Sequence, residues 1–344
     1  MLEASPPLLE VRDLSVSFRT AQGTVRAVDR VSFDLQPGEV LGLVGESGSG
    51  KSVSLMAMLG LIDTRNARIE GSVKLNGREL IGLAPDQMKH VRGKEIAMVF
   101  QDPMTALTPV YSIGAQIVEQ LRIHFKGLSR AAAKAHAVEL LAAVGMPAPA
   151  VQFERFPHQL SGGMRQRAVI AMALSCKPSV LIADEPTTAL DVTVQAQILA
   201  LIDRLRRDTG TAVVLITHDM GVVAELADRV QVMYAGRIVE RASAPDLFSE
   251  AWHPYTWGLL GSIPPLEGAR PQRLPSIPGA PPSLAQLPPG CAFAPRCAAR
   301  DARCDTRPAL PVLPFGAHAA ACVLQPEQRE AARLRCTERV EAAP

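Results

Sequence analysis

One motif constrains the fold of this chain more than any other: the pattern G-x-x-x-x-G-K-[ST] directly follows an apolar run and comprises Gly45, Glu46, Ser47, Gly48, Ser49, Gly50, Lys51 and Ser52. Its glycines allow backbone N–H groups to converge on phosphate oxygens, and a helix that begins near Lys51 would add its positive end. We expect Lys51 to reach the β- and γ-phosphates of a nucleotide and Ser52 to bind Mg²⁺. A glycine-rich turn without a ligand is the alternative, and the flanking strand and apolar helix argue against it.

Short apolar runs between residues 8 and 250 predict an α/β fold. Residues 40–44, 180–183 and 212–216 have the length and continuous hydrophobicity of strands that are buried on both faces of a parallel sheet. The opening stretch, 8–36, alternates more and is expected to be antiparallel, and the alanine-rich stretch 128–143 is expected to be helical. Ligands bind where parallel strands end, so the polar residues that follow these runs are candidates for a site.

Two acids and two further polar side chains occupy such positions. Asp184 and Glu185 follow the run 180–183, where Asp184 suits the Mg²⁺ shell and Glu185 could activate a water molecule as general base. A solvated turn would also place two acids after a strand, but the phosphate loop favours catalysis. Gln101 ends another apolar run and could bind Mg²⁺ and orient water. His218 follows the run 212–216. We expect it to contact the γ-phosphate, although a lone histidine after a strand is more often structural.

A glycine pair precedes a long predicted helix in residues 160–167, Leu-Ser-Gly-Gly-Met-Arg-Gln-Arg. Ser161 is a good N-cap, and Gly162 and Gly163 would expose the helix N-terminus to an anion. An ordinary helix cap would look the same by itself. In the company of the phosphate loop, the paired acids and the polar residues at the strand ends, however, the stretch resembles the signature of the ABC nucleotide-binding domain. That resemblance covers residues 8–250.

The resemblance implies an α/β P-loop NTPase fold. It consists of a RecA-like core, an antiparallel β subdomain, a helical subdomain at about residues 102–165 and a small Cys-containing C-terminal extension. Two such domains dimerise head to tail, so that ATP is sandwiched between the phosphate loop of one and the signature of the other. The resemblance also implies roles for residues beyond the phosphate loop. Glu185, His218 and Gln101 would take part in catalysis, Phe18 would stack on adenine, and Mg²⁺ would be bound by Ser52, Gln101 and Asp184. The ATP of the second domain would be contacted by Ser161, Gly162, Gly163 and Gln166, and Asp191 would belong to the D-loop.

The composition changes after residue 252. Prolines crowd residues 263–289, which excludes a regular helix or central strand there and predicts an extended linker. We therefore divide the chain into a nucleotide-binding domain, 1–250, and a C-terminal extension, 251–344. The extension, together with the sequences around Gln101 and the signature, resembles the D-type ATPase subunit of dipeptide and oligopeptide importers.

Four cysteines of the extension, Cys291, Cys297, Cys304 and Cys322, have the spacing C-x5-C-x6-C-x17-C. In a cytosolic protein such a group indicates metal or cluster ligation before disulfides. Structural zinc sites favour closer pairs, so we expect the four thiolates to hold a 4Fe–4S cluster. A cluster would also staple a segment that is too small for its own core. Zinc and free thiols are the alternatives.

Composition limits the remaining function classes. A net charge of +2 over 344 residues gives no support for a nucleic-acid surface. No run reaches the roughly 18 apolar residues of a membrane span, and no secretion signal is recognised at the N-terminus.

The resemblance implies ATP hydrolysis that drives peptide uptake, by a peripheral subunit at the cytoplasmic face of the bacterial inner membrane. The implied partners are a second ATPase chain in a heterodimer, two integral-membrane permease chains and an extracytoplasmic peptide-binding protein. Importers of nickel, glutathione, antimicrobial peptides or sugars are alternatives, as is a non-transport ABC ATPase.

Overall fold

The computed structural model describes residues 6–21, 23–188, 190–263, 276–306, 308–310 and 317–341, with side chains as far as residue 333. The proline-rich linker predicted at 263–289 lies partly outside these ranges, at 264–275. Its described part, 276–289, contains no helix or strand, as proline density requires.

The strands are β1 Leu9–Thr20, β2 Gly23–Leu35, β3 Val40–Val44, β4 Ala67–Leu75, β5 Arg78–Glu79, β6 Ile96–Val99, β7 Val180–Asp184, β8 Ala212–Thr217, β9 Arg229–Tyr234, β10 Arg237–Ser243 and β11 Ala319–Ala320. The helices are α1 Lys51–Met58, α2 Pro85–Val91, α3 Pro103–Ala106, α4 Ile113–His124, α5 Arg130–Ala143, α6 Pro149–Glu154, α7 Gly162–Leu174, α8 Val192–Thr209, α9 Met220–Leu226, α10 Ala244–Ser249, α11 Pro254–Gly261 and α12 Pro326–Glu341. Three short 3₁₀ helices span Pro157–Gln159, Ala294–Arg296 and Ala302–Asp305 within the described residues. Within the same ranges, every helix is too short or too polar to span a lipid bilayer.

The chain separates into two compact units. The first comprises Met1–Leu9, Leu35–Val40 and Lys74–Ile216, and the second comprises Glu10–Asp34, Leu41–Val73 and Thr217–Pro344.

Parallel strands and capped helices make up the first unit. β7 pairs with β6 on one side and with β8 on the other, so that Val180 lies opposite both Ile96 and Ala212. All residues of β7 are buried, which explains the continuous apolar run in the sequence. Helix α5 begins after the N-cap Ser129 and confirms the helix expected in the alanine-rich stretch.

The second unit is built on β9. This strand pairs in parallel with β3, Val44 opposite Val232, and antiparallel with β10, which in turn pairs with β11. A second sheet places β1 between β2 and β4. The aromatic side chains of Tyr234, Tyr255 and Phe293 pack in one buried core cluster with Val44. The C-terminal part of the chain thus shares a core with the strand that leads into the phosphate loop.

A buried carboxylate fastens the C-terminal part to β10. Glu240 is fully buried and accepts hydrogen bonds from the backbone N–H groups of Trp252, at 2.5 Å, and His253, at 3.0 Å. Its Oε1 lies 2.8 Å from Nε2 of His318, whose ring stacks on Trp252. The network satisfies a buried carboxylate that would otherwise be costly to desolvate.

Close backbone packing explains two glycines of the loop after β3. Gly45 has φ +151°, and a Cβ there would lie 2.1 Å from the carbonyl oxygen of Met233 in β9. Gly50 has φ +107°, and a Cβ would lie 2.6 Å from the carbonyl oxygen of Ala27. Both positions therefore require glycine for space as well as for backbone conformation.

Gly45→Ala should destabilise the protein far more than Gly48→Ala. Gly48 also has a positive φ, +77°, but a Cβ there meets no atom within 4 Å. We expect about 1 kcal/mol of lost stability at Gly48 from backbone strain alone and about 3 kcal/mol or more at Gly45 from the overlap. Urea unfolding of both variants measures the difference, and equal midpoints would contradict the close packing.

Candidate functional site

The loop between β3 and α1 has the form of a phosphate-binding loop. Helix α1 begins at Lys51 after Gly50, which is in the left-handed region, so the positive end of the helix faces the loop. Ser47 and Gly48 are exposed, whereas Ser49 is buried and Ser52 lies half-buried in the first turn of α1.

The Lys51 ammonium is folded over this loop. Its Nζ donates to the carbonyl oxygens of Gly45, at 2.7 Å, and Glu46, at 2.9 Å, and to Oγ of Ser49, at 3.3 Å. The side chain is 6% exposed. A buried ammonium with these three hydrogen bonds to loop oxygens is held where the phosphates of a nucleotide would be bound.

The structure brings Gln101 and Glu185 together in the first unit. Nε2 of Gln101 donates to Oε2 of Glu185 at 2.8 Å, and Oγ1 of Thr188 donates to the same oxygen at 2.9 Å. The backbone N–H of Glu185 donates to the carbonyl oxygen of Ile216 at 2.9 Å. Asp184, the last residue of β7, is 6% exposed. The carboxylate of Glu185 is thus oriented by two donors and stands beside a second, buried acid.

Glu185 also has an unusual backbone conformation. Its φ is +46°, in the left-handed region that a glutamate rarely adopts. Such strain costs of order 1 kcal/mol and is found preferentially at functional sites. Neither this strain nor the contact from Thr188 was predicted from the sequence. A threonine three residues after an acid does not by itself indicate that the two side chains will be in contact.

The signature residues lie at the N-terminus of α7, as predicted. Oγ of Ser161 accepts from the backbone N–H of Met164 at 3.4 Å, so Ser161 is the N-cap. Gly163 packs against α8, where a Cβ would lie 2.8 Å from Cγ1 of Val194. Asp191 caps α8 by accepting from the N–H of Val194 at 2.9 Å. Gln166 is 2% exposed, and its amide nitrogen makes no hydrogen bond within the described residues.

The two remaining candidates of the nucleotide site lie in the second unit. Phe18 lies near the end of β1 and is half-buried. His218 directly follows β8 and is exposed. Adenine stacking and γ-phosphate contact stay predictions for these two side chains.

Four cysteines of the extension line one small cavity. Cys291, Cys297, Cys304 and Cys322 surround a space of about 10 Å³ together with His253. None of them forms a disulfide. Burial raises the pKa of the Cys322 thiol, and the neighbouring Cys291 and Cys304 raise it further.

Within the described ranges, however, no group of three or more His, Cys, Asp or Glu side chains is arranged to hold a metal ion. The four cysteines that the sequence predicts as cluster ligands thus converge, but they form no metal site in the described part of the chain.

In the described C-terminal part of the chain, Tyr255 and Arg296 contact the phosphate loop, and neither was predicted to do so. Both side chains bind Glu46: the Tyr255 hydroxyl accepts from the backbone N–H of Glu46, and the Arg296 guanidinium donates to the Glu46 carboxylate. Tyr255 lies in the extension whose sequence resembles the importer ATPases, and nothing in that resemblance indicates a contact with the loop. Arg296 stands next to Cys297, and nothing in its spacing points to the loop.

Comparisons with known proteins agree with this geometry. Residues 28–188 match the sequence model of the family described as ABC transporter. Residues 239–304 match the model described as oligopeptide/dipeptide transporter, C-terminal region. The dimeric ATP-binding cassette MJ0796, solved in a post-hydrolysis state with ADP and Pi, superposes with a TM-score of 0.62 at 26% identity over 69% of this chain and 98% of that one.

Curated relatives are similar over most of this chain. The oligopeptide transport ATP-binding protein OppD of Bacillus subtilis is 54% identical over 275 residues, which are 80% of this chain and 76% of that protein. OppD of Mycobacterium tuberculosis is 56% identical over 275 residues, 80% of this chain. The matched part spans only 45% of the mycobacterial protein.

These matches confirm the predicted P-loop NTPase fold of the ABC type. The chain belongs to the ABC transporter family, and its C-terminal part matches the family model described as oligopeptide/dipeptide transporter, C-terminal region.

Proposed function

We propose that this chain is the ATP-hydrolysing subunit of an ABC importer and couples hydrolysis to the uptake of dipeptides or oligopeptides. The observation that carries the enzymatic part is the contact between Gln101 and Glu185, Nε2 to Oε2 at 2.8 Å. It joins a water-orienting amide to a carboxylate that can act as general base. The peptide cargo rests on the names of the OppD relatives.

Each site residue has a separate role in the proposed hydrolysis of ATP. The amides of the phosphate loop and Lys51 bind the phosphates, and Glu185 takes the proton of the attacking water while Thr188 and Gln101 hold its carboxylate in place. Ser52, Gln101 and Asp184 would hold Mg²⁺, which neutralises charge that develops on the phosphates. His218 contacts the γ-phosphate in this proposal, and Phe18 stacks on adenine.

A second ATPase chain completes the site. Ser161, Gly162, Gly163 and Gln166 lie at the N-terminus of α7, whose positive end suits the phosphates of an ATP bound by that second chain. Asp191, the proposed D-loop residue, is the N-cap of α8, which is the next helix along the chain. We propose a heterodimer of ATPase chains that works with two permease chains and an extracytoplasmic peptide-binding protein, at the cytoplasmic face of the inner membrane.

The proposed domain organisation divides the chain after residue 250. Residues 1–250 form the nucleotide-binding domain, with a helical subdomain at about 102–165, and residues 251–344 form the extension. The matched ranges 28–188 and 239–304 support this division.

Glu185→Gln should bind MgATP with unchanged affinity and lose turnover by about a hundredfold or more, because it removes the general base but keeps the size of the side chain. Steady-state ATPase rates and nucleotide binding measure the two effects. Glu139→Gln is the matched control, since Glu139 is an exposed carboxylate on α5. Undiminished hydrolysis by Glu185→Gln would refute the assignment of the base.

We also propose that Cys291, Cys297, Cys304 and Cys322 hold a 4Fe–4S cluster with a structural role. Four cysteine thiolates are the usual ligand set of such a cluster, and these four side chains line one cavity. A cavity of about 10 Å³ has room for a water-sized group only. Loading therefore requires the cysteine-bearing loops to open.

Anaerobically purified protein should contain about four iron and four sulfide per chain. Cys304→Ser should lose both and unfold at lower temperature. Cys176→Ser is the control, because Cys176 lies in the other unit. Zinc without sulfide in the purified protein would contradict the cluster.

The cargo is tested with the binding protein that purifies with the complex. Mass spectrometry of the ligand released from it should identify short peptides. Nickel, glutathione or a sugar would keep the importer and change its substrate, whereas a complex without permease chains would contradict the transport function.

A further inference from the structure

The second residue of the phosphate loop is an acid, although the loop binds an anion in the proposed function. The carboxylate of Glu46 repels the phosphates of ATP unless a cation neutralises it. Arg296 supplies that cation: Nη1 donates to Oε2 of Glu46 at 2.6 Å, and Nη2 donates to Oε1 at 2.9 Å. The two parallel hydrogen bonds hold the carboxylate in one orientation, and the positive charge of the guanidinium neutralises it.

The remaining donors of Arg296 are also used, which immobilises the guanidinium. Nε donates to the carbonyl oxygen of Pro278 at 2.9 Å, Nη2 to that of Ile277 at 3.4 Å, and Nη1 to the Tyr234 hydroxyl at 3.4 Å. The side chain of Arg296 is 6% exposed and that of Glu46 is 26% exposed, so solvent screens this partly buried pair less than a surface pair. A guanidinium keeps its charge at any physiological pH, so Arg296 is a permanent cation beside Glu46.

The backbone of Glu46 is held from the same side. Its N–H donates to the Tyr255 hydroxyl oxygen at 2.7 Å. Tyr255 is fully buried, and burial raises the pKa of its hydroxyl, which therefore stays protonated. Because this amide is bonded to Tyr255, phosphate oxygens are left to the amides that follow it in the loop.

The segment that carries Arg296 is itself anchored. Arg296 ends the 3₁₀ helix Ala294–Arg296, between Cys291 and Cys297. The preceding Phe293 is 4% exposed and contacts the rings of Tyr234 and Tyr255, with centroids 5.3 and 5.4 Å apart. The position of the guanidinium is thus set by the core of the second unit.

We propose that Arg296 is a positioning residue for ATP hydrolysis, which neutralises Glu46 and fixes the first residues of the phosphate loop so that Lys51 and the later amides meet the phosphates. The C-terminal extension is then part of the ATP site. This inference rests on the proposed function, because it takes MgATP as the ligand of the loop.

Four variants of the full chain test it. Arg296→Gln leaves Glu46 without its cation and should raise the KM for MgATP about tenfold, with kcat changed less than about threefold. Glu46→Gln/Arg296→Gln removes the uncompensated charge and should return KM to within about threefold of wild type. Arg296→Lys should lie between wild type and Arg296→Gln. Arg300→Gln is the control, since Arg300 pairs with Asp305 at the surface of the same segment.

Two results would overturn the proposal. One is a wild-type KM in Arg296→Gln. The other is an equal loss in the single and the double variant, which indicates a merely structural role. Thermal unfolding shows which variants fold. If Arg296→Gln does not fold, Arg296→Lys is the deciding variant. The proposal then predicts a KM about threefold above that of the wild type, and a wild-type KM in Arg296→Lys would overturn it.

Failure of the proposed function gives a different result. A wild-type chain that hydrolyses no ATP contradicts the enzymatic proposal alone. The dissociation constants of MgATP for the same variants then test the role of Arg296. They should rise from wild type through Arg296→Lys to Arg296→Gln and fall again in the double variant. A wild-type dissociation constant in Arg296→Gln, or an equal loss of affinity in the single and the double variant, would contradict the role.

Discussion

Close packing of the phosphate loop against strand β9 is the constraint on which the rest of the site depends. The backbone of Gly45 lies so near the carbonyl oxygen of Met233 that no side chain fits between them. The next residue of β9, Tyr234, packs against Phe293 and Tyr255. One strand therefore fixes both the loop and the C-terminal segment that contacts it. Glu46 and Arg296 meet because β9 packs against both the loop and the C-terminal segment, more than because of any single hydrogen bond.

Patterns within a few residues predicted the features that depend on local chemistry. The glycine spacing predicted the loop, and three apolar runs predicted β3, β7 and β8, because buried parallel strands need continuous hydrophobicity. Ser161 was recognised as an N-cap, because a hydroxyl before a helix has a local partner. The contact between Gln101 and Glu185 agrees with the rule that the ends of neighbouring parallel strands meet at one edge.

Contacts between distant parts of the chain were not predictable from the same patterns. Glu46 and Arg296 are 250 residues apart in sequence, and Glu240 binds His318 across 78. Such pairs form only when tertiary packing has placed both partners, and neither residue type nor spacing indicates them. The cysteine spacing did predict that four thiols converge. It could not predict the size of the space between them, which depends on how their loops pack.

The central claim is that ATP hydrolysis by this chain drives the uptake of peptide that a binding protein delivers from outside the membrane. Its most direct test is the ATPase rate of the chain reconstituted in vesicles with a second ATPase chain and the permease chains. The binding protein is added with and without a bound oligopeptide. Coupling of ATP hydrolysis to peptide import predicts a higher rate when the binding protein carries peptide. Equal rates in the two cases would contradict it.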